Sequence, residues 1–307
     1  MADTPPTSPS DAGPSPDTGS MDAGSSPRPI TIRSLKRMVD AGDPFACLTA
    51  YDALTARILQ DAGIPVLLVG DTAAEVILGL PSTIHAPLEF MLTLTAAVKR
   101  AAPRCWVIGD MPFMSYQVSD EEGVRNAGRF LVEGRADAVK LEVDLSYVGL
   151  VSRMGRAGVP VIAHLGSKPQ HAHRHGGYYS DGRTAEDAAR LLEEARAFED
   201  AGATMLLVEA VPEVVAQSIV ESVSIPVIGC GAGGACHGQI VVTQDLTGMT
   251  EWQPPFAQPI AKVNEALHQV AREWKDRVGR RAHGEHPYRM RSGELERMNR
   301  HPRPTDR

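Results

Sequence analysis

Five short apolar segments of the sequence each end in a residue that can ionise. Segments of this kind, rich in Val, Leu and Ile, are typical of strands buried on both faces of a parallel sheet. The ionisable residues at or just after their carboxyl ends are Asp71, Asp110, Glu142, His164 and Glu209. A carboxylate in such a place is costly to desolvate unless it is paired, bound to a metal ion or catalytically active. The repeated pattern therefore predicts a site that uses several of these groups together.

A ring of carboxylates favours a divalent cation, because neighbouring negative charges repel one another unless a positive ion lies between them. Oxygen ligands suit Mg2+, which keeps positions open for water and substrate oxygens, although another divalent metal fits the same pattern. Lys140 alternates with Glu142 along one strand, so both side chains face the same side. On that side the lysine can form an ion pair or bind an anionic substrate.

Two further residues of the set have roles that the residue types leave open. Glu209 follows a later strand, and a carboxylate held away from the metal and partly desolvated is suited to act as a general base. His164 can be a ligand, an acid–base group or a hydrogen-bonded core residue.

Strand-like segments alternate with helix-like segments along the chain, which predicts a parallel sheet. Glycine ends several of the helices, as at Gly63, Gly158 and Gly202, because it adopts the left-handed conformation that terminates a helix. Strands are predicted at residues 45–50, 66–70, 106–109, 138–141, 161–163, 205–208, 226–229 and 240–243. Eight such units predict an α/β fold, a single-domain (β/α)8 TIM barrel with its active site at the carboxyl ends of the strands. An open doubly wound sheet is the alternative, but the first strand is followed by Tyr51-Asp52 rather than by a GxGxxG turn.

The two ends of the chain differ in composition from the barrel segment. Residues 1–28 are almost entirely Ala, Asp, Gly, Pro, Ser and Thr, which predicts a disordered N-terminal tail. The catalytic barrel is predicted for residues 29–258, and apolar residues on one face predict an extra C-terminal helix over residues 259–280. Residues 281–307 are rich in Arg and lack periodicity, which predicts a basic surface segment or a disordered tail.

Composition argues against several classes of partner. The chain of 307 residues has a formal net charge of -7, whereas a nucleic-acid-binding protein needs a basic surface. No apolar segment approaches the roughly 20 residues that a membrane-spanning helix requires. The four cysteines form no CxxC pair, and the N-terminal segment lacks the features of a secretory signal or transit peptide. We therefore expect reduced thiols and a cytoplasmic protein.

Two loops are candidates to complete the site. The loop over residues 165–183 contains Gly176-Gly177-Tyr178-Tyr179 and has the length typical of a lid or binding loop. The glycine-rich segment over residues 229–239 could present backbone amides to an anion such as a phosphate. A tight irregular loop at the rim is an equally good interpretation of that segment.

Motifs between residues 30 and 259, taken in order, resemble the ketopantoate hydroxymethyltransferases (3-methyl-2-oxobutanoate hydroxymethyltransferases) of the isocitrate lyase/phosphoenolpyruvate mutase superfamily. The motifs are Leu48–Asp52, Val69–Asp71, Asp110–Phe113, Ser115–Gln117, Val139–Glu142, His164–Gly166, Pro169-Gln170, Gly176–Tyr178 and Gly229–Gln239. The resemblance implies transfer of the one-carbon unit of 5,10-methylenetetrahydrofolate to 3-methyl-2-oxobutanoate with the help of Mg2+. The product is 2-dehydropantoate, for pantothenate and coenzyme A synthesis. The resemblance also implies a homo-oligomer, usually a decamer.

The resemblance further implies a metal site. Asp71 and Asp110 match the family's metal ligands and, through the metal, bind the 2-oxo acid. Glu142 matches an outer-shell acid that holds a metal-bound water.

Four other positions match substrate-binding or catalytic residues of the family. Thr72 and Lys140 match positions that bind the substrate carboxylate. His164 lies near the reacting centre, and Glu209 matches the proposed catalytic base, the acid of the ring that no other role uses.

The sequence departs from the family pattern just after Asp71. Where the family commonly has Ser-Leu-Gly-Met, this chain has Thr72-Ala73-Ala74-Glu75, which keeps the hydroxyl and adds a charge near the rim. One alternative is therefore another Mg-dependent 2-oxo acid C–C lyase or mutase of the same superfamily, although a cysteine-bearing lid motif such as Lys-Lys-Cys-Gly-His is not found. The other is a catalytically silent paralogue that acts in assembly.

Overall fold

Eight parallel strands close into a barrel in the order in which they occur along the chain. The computed structural model describes residues 28–282 and 284–300, so the predicted N-terminal tail, apart from Arg28, lies outside the described residues. The strands are β1 Phe45–Thr49, β2 Val66–Val69, β3 Trp106–Asp110, β4 Ala138–Glu142, β5 Val161–Gly166, β6 Met205–Glu209, β7 Val227–Cys230 and β8 Gly238–Val241. Pairing of β1 with both β2 and β8 closes the barrel. The predicted (β/α)8 barrel is confirmed.

Helices occupy most of the connections between the strands. The α-helices of the described residues are α1 Ile32–Ala41, α2 Ala53–Asp61, α3 Ala73–Val76, α4 Leu88–Ala101, α5 Asp120–Val132, α6 Val148–Arg156, α7 Ala172–His175, α8 Ala185–Asp200, α9 Glu213–Ser222, α10 Thr243–Leu246, α11 Val263–Gly279 and α12 Glu294–Arg300. Short 3-10 helices lie at Thr83–His85, Leu145–Tyr147 and Pro169–His171. None of the helices in the described part of the chain is long and apolar enough to cross a membrane.

Alternate residues of each strand belong to two separate apolar layers, as the period-two geometry of a strand requires. Leu67 of β2 lies in the outer layer with the helix residues Phe130 and Phe198. Its neighbour Val66 lies in the inner layer, which fills the barrel and includes Leu35 of α1. The barrel interior is therefore packed with side chains near the strand starts, and the space for a site lies at the opposite end.

Polar caps set the starts of several barrel helices. Ser119 accepts a hydrogen bond from the Glu122 backbone N–H at 3.2 Å, and Thr184 accepts one from Asp187 at 3.1 Å, as their spacing in the sequence indicates. Asp52 caps α2 by accepting from the backbone N–H groups of the second and third residues that follow it, at 2.8 and 2.9 Å. These caps fix where each helix leaves the strand that precedes it.

The described residues after residue 264 are almost all exposed. The predicted C-terminal helix is observed as α11, and all residues from 265 to 280 are exposed. The apolar side chains of Leu267, Val270, Trp274 and Val278 lie among them. The short helix α12 was not predicted, and its apolar residues are exposed as well.

Candidate active site

The register of the barrel places the predicted site residues next to one another. Pairing of β3 with β4 sets Asp110 beside Lys140, and pairing of β4 with β5 sets Glu142 beside His164. Asp71 follows β2, and its backbone N–H donates to Asp110 Oδ2 at 2.9 Å. All the predicted site residues line one cavity of about 550 Å3, namely Asp71, Thr72, Asp110, Lys140, Glu142, His164 and Glu209. The carboxyl ends of the strands therefore form one site, as the barrel fold predicts.

The floor of the cavity holds several buried carboxylates and one buried lysine. Lys140 Nζ lies 2.9 Å from Asp110 Oδ1, and both side chains are almost fully buried. Asp71 and Glu142 are also buried, and both accept hydrogen bonds from Gln170, at 2.9 Å and 3.1 Å. Three carboxylates share one ammonium group, so the floor attracts cations when its acids are ionised.

This excess of acids changes the protonation equilibria at the floor. Burial raises the pKa of Asp110, and Asp71 raises it further, while Lys140 opposes both effects. Burial likewise raises the pKa of Glu142 well above its ordinary value, again against the effect of Lys140. Burial lowers the pKa of Lys140, but the surrounding carboxylates outweigh it and raise the pKa above its ordinary value. The lysine is therefore charged at neutral pH, and a bound cation would favour ionisation of the acids.

The donor set of the floor is compatible with Mg2+. Mg2+ is commonly held by one or two carboxylates, with waters and substrate oxygens completing an octahedron. In the described part of the chain, no group of three or more His, Cys, Asp or Glu side chains is arranged as a ready-made metal site. Asp71 and Asp110 are joined by the hydrogen bond from the Asp71 N–H, and together they offer two carboxylates to a metal ion. Such a set fits a Mg2+ ion that keeps most of its coordination positions for water and substrate.

His164 lies between Lys140 and Glu209, and this position determines its tautomer. Its Nδ1 is 3.3 Å from Lys140 Nζ, and an ammonium group can only donate, so Nδ1 accepts. Burial, and then Lys140, lower the pKa of His164 well below its ordinary value, so the ring is neutral. Its single proton is therefore on Nε2, which is buried, lies 3.4 Å from Glu209 Oε2 and has no hydrogen-bond partner among the described residues. This N–H is available to a ligand or to Glu209.

Glu209 differs from the floor acids in its environment. Its side chain keeps 24% of its surface exposed, and that surface faces the cavity rather than open solvent. Burial raises the pKa of Glu209 to about 7, with Lys140 acting in the opposite direction. A carboxylate with this pKa is about half ionised at neutral pH, which suits a general base.

The outer part of the cavity is formed by the loop over residues 165–183 and by later segments. Tyr178 and Tyr179 of that loop line the cavity, as expected for a lid or binding loop. Tyr178 donates to Glu75 Oε1 at 3.3 Å, so the charge predicted near the rim lies on the cavity wall. Isolated aromatic residues in loops give no sequence pattern, so the sequence does not indicate Trp252 and Phe256, yet both line the same cavity.

The glycine-rich segment after β7 is a tight loop. The Gly234 N–H donates to Glu213 Oε1 at 2.9 Å, so a carboxylate already occupies the place that an anion would take. A Cβ at Gly231 would overlap the ring of Phe256, which shows how closely the segment packs. These contacts favour the rim-loop interpretation of the segment over an anion site.

Gln170 and Tyr116 contact the floor acids, although the sequence indicates them only as members of longer motifs. Gln170 is buried and hydrogen-bonds to Asp71 and Glu142, and Tyr116 OH accepts from the Glu142 backbone N–H at 3.1 Å. Neither residue ends a strand with a charge, so the pattern that indicated the acids did not indicate them.

Comparisons with known proteins agree with this geometry. The family model for ketopantoate hydroxymethyltransferase matches residues 29–286. The chain belongs to this family.

Relatives within the ketopantoate hydroxymethyltransferase family align with most of this chain. A 3-methyl-2-oxobutanoate hydroxymethyltransferase from Pyrobaculum aerophilum is 42% identical over 80% of this chain and 94% of its own. The enzymes of the same name from Hyperthermus butylicus and Carboxydothermus hydrogenoformans are each 41% identical over 88% of this chain, and over 94% and 99% of their own.

Solved structures show the same fold at lower identity. A 2,3-dimethylmalate lyase of the PEP mutase/isocitrate lyase superfamily superimposes with a TM-score of 0.54 and 19% identity, over 88% of this chain and 98% of its own. A phosphonopyruvate hydrolase in complex with oxalate and Mg2+ superimposes with a TM-score of 0.56 and 13% identity, over 87% of this chain and 94% of its own. At these identities the likeness supports the barrel fold alone.

Proposed function

We propose that the chain is a 3-methyl-2-oxobutanoate hydroxymethyltransferase. In this proposal it transfers the one-carbon unit of 5,10-methylenetetrahydrofolate to 3-methyl-2-oxobutanoate and forms 2-dehydropantoate for pantothenate synthesis. The relatives of that name over most of the chain support the reaction. The observation that supports the chemistry is the pairing, in one cavity, of the acidic floor with Glu209, whose pKa is raised to about 7.

The first chemical step is removal of a proton from C3 of the 2-oxo acid. Glu209 in its ionised form accepts this proton, because its carboxylate faces the cavity and is the acid not used at the floor. One water molecule replaces both carbon–nitrogen bonds of the folate methylene group, which releases tetrahydrofolate and leaves the carbon as a formaldehyde unit. The electron pair that remains on C3 forms a bond to that carbon, and its oxygen takes up the proton held by Glu209 and becomes the hydroxyl group of 2-dehydropantoate. The neutral His164 keeps on Nε2, 3.4 Å from Glu209 Oε2, an N–H that is unpaired among the described residues and can donate to the substrate or to Glu209 at the reacting centre.

The floor binds the other end of the 2-oxo acid. The Lys140 ammonium and the Thr72 hydroxyl line the cavity and are suited to bind the substrate carboxylate. Asp71 and Asp110 would hold Mg2+, with Glu142 ordering a water beside it. When bound, Mg2+ supplies Lewis-acid stabilisation of the negative charge that develops on the 2-oxo acid.

The size of the cavity supports a second substrate. A five-carbon 2-oxo acid fills only a small part of about 550 Å3, so the outer part has room for a larger molecule. The aromatic side chains of Tyr178, Trp252 and Phe256 line the cavity and are suited to contact the flat ring of a folate.

An assay of tetrahydrofolate release tests the proposed function. Purified protein should release tetrahydrofolate only when 3-methyl-2-oxobutanoate, 5,10-methylenetetrahydrofolate and Mg2+ are all present. Omission of each component in turn is the control, and EDTA should abolish the rate until Mg2+ is restored. Folded protein that releases no tetrahydrofolate in the complete mixture would rule the proposal out.

A further inference from the structure

We infer that Gln170 is a positioning residue that fixes the orientations of the Asp71 and Glu142 carboxylates, and thereby the affinity of the floor for Mg2+. The inference rests on the proposed function, because it assigns a role at the proposed metal site. Gln170 is 3% exposed and lies behind the cavity wall rather than on it. It therefore acts on the floor through the acids that it contacts.

The contacts of the Gln170 side-chain amide determine which way round it lies. Its Nε2 faces two acceptors, Asp71 Oδ2 at 2.9 Å and the Met111 carbonyl oxygen at 3.1 Å. Only an amide NH2 group can face two acceptors, because an oxygen there would have no donor to accept from. On the other side, Oε1 accepts from Gln117 Nε2 at 3.1 Å and lies 3.1 Å from Tyr116 OH. With both ends of the amide assigned in this way, the donor toward Asp71 is fixed.

The backbone of Gln170 holds the second acid. Its N–H donates to the Glu142 carboxylate, at 3.1 Å to Oε2 and 3.4 Å to Oε1. Pro169 begins the 3-10 helix that contains Gln170, and its fixed φ restrains the direction of this N–H. One residue thus holds two acids that come from different strands.

These hydrogen bonds have a consequence for a cation at the floor. The bond from Gln170 uses one lone pair of Asp71 Oδ2, so Oδ1 is the Asp71 oxygen better placed to offer both lone pairs to a metal ion. A carboxylate held in one orientation loses less rotational freedom when it binds a cation. Removal of a hydrogen bond of this kind behind a metal ligand typically weakens metal affinity about 10- to 100-fold.

Gln170 also links the floor to the loop above the cavity. It contacts Asp71 and Glu142 at the floor, and Tyr178 of the same loop donates to Glu75, which also lines the cavity. The loop is therefore hydrogen-bonded to the cavity at two places, through Gln170 at the floor and through Tyr178 near the rim.

Calorimetric titration of MgCl2 into protein saturated with 3-methyl-2-oxobutanoate tests the inference. Gln170→Met keeps the length of the side chain and removes the donors, and we expect it to weaken Mg2+ binding by about tenfold or more. Gln60→Met is the matched control, because Gln60 is a buried glutamine whose Oε1 accepts from the Arg104 N–H far from the cavity. The control should lower thermal stability without changing Mg2+ affinity. Should Gln170→Met fail to fold, Gln170→Asn, which withdraws the amide by one methylene, replaces it with the same expected direction.

The outcomes separate this inference from the proposed function. Unchanged Mg2+ affinity in a folded Gln170 variant would overturn the inference, and so would a wild-type protein that binds no Mg2+ under these conditions. Weakened Mg2+ binding in the Gln170 variant, together with no tetrahydrofolate release by the wild type, would support the inference and reject the proposed reaction.

Discussion

At the scale of single residues, the acids of the cavity differ in what holds them. Asp110 is fixed from two sides, by Lys140 at Oδ1 and by the Asp71 N–H at Oδ2. Glu209 has a partly accessible side chain, and the neutral His164 lies 3.4 Å from it. Because their environments differ in this way, Asp110 is suited to bind a cation, whereas Glu209 is suited to exchange a proton.

The pKa of Glu209 predicts the pH dependence of the reaction. A general base must be ionised, and burial raises the pKa of this group to about 7, so kcat/KM should rise with pH and level off above that value. A pH profile of tetrahydrofolate release from about pH 5.5 to 8.5 at constant ionic strength measures this. If the rate instead falls only near about pH 4.3, the ordinary value for glutamate, Glu209 is not the base with the environment described.

The sequence indicated the charged residues of the site but not the uncharged ones. Each predicted acid ends a buried strand, and the parallel register of the barrel brings such ends together. Gln170 and Tyr116 have no such pattern, because an amide or a phenol in a connecting segment is as common outside sites as within them. The side-chain contacts that reveal them join residues far apart in sequence, such as Gln170 and Asp71.

At the scale of elements, the strands were predictable because buried parallel strands are continuous apolar segments. The residues at which the strands begin and end were less predictable. The last strand was predicted at residues 240–243 but lies at Gly238–Val241, because Gly238 pairs with Phe45 and Thr243 bonds to Thr49 instead. A Cβ at residue 238 would overlap the Phe45 ring, so glycine is required there for packing, a reason that an apolar pattern does not contain.

Packing of α5 on β3 predicts different effects for two glycine substitutions. Gly109→Ala places a Cβ against the buried ring of Phe130, so we expect a loss of about 1–3 kcal/mol in the free energy of unfolding. Gly128→Ala adds a methyl group to open space on α5 and should increase that free energy by about 0.5–1 kcal/mol. Urea denaturation of both variants measures the two changes. Equal effects of the same sign would contradict the close approach of α5 to β3.

At the scale of the whole molecule, α11 presents an apolar face that the described residues of the chain leave exposed. Val270 is 66% exposed and Trp274 is 56% exposed, with Leu267 and Val278 on the same helix. A long helix with an exposed apolar face usually packs against another protein surface. From this face and the family resemblance, we propose a homo-oligomer in which α11 contacts a second copy of the chain.

Sedimentation of the purified protein tests the proposed assembly. The wild type should sediment as an oligomer, and Val270→Glu combined with Trp274→Glu should shift it to a smaller species, because two buried charges would disfavour the contact. Val132→Glu on α5 is the control, since Val132 is an 80% exposed valine on a different helix, and it should leave the assembly unchanged. A monomeric wild type at micromolar concentration would reject the role of α11.

The central claim is that Glu209 removes the C3 proton of the 2-oxo acid bound in this cavity. Deuterium exchange at C3 of 3-methyl-2-oxobutanoate, followed by proton NMR in D2O with Mg2+ and without folate, reports this step alone. Glu209→Gln keeps the shape of the side chain and removes the base, and Glu213→Gln, outside the cavity lining, is the matched control. We predict exchange by the wild type and by Glu213→Gln, and a rate lower by about 100-fold or more in Glu209→Gln. Exchange in Glu209→Gln at the wild-type rate would contradict the claim.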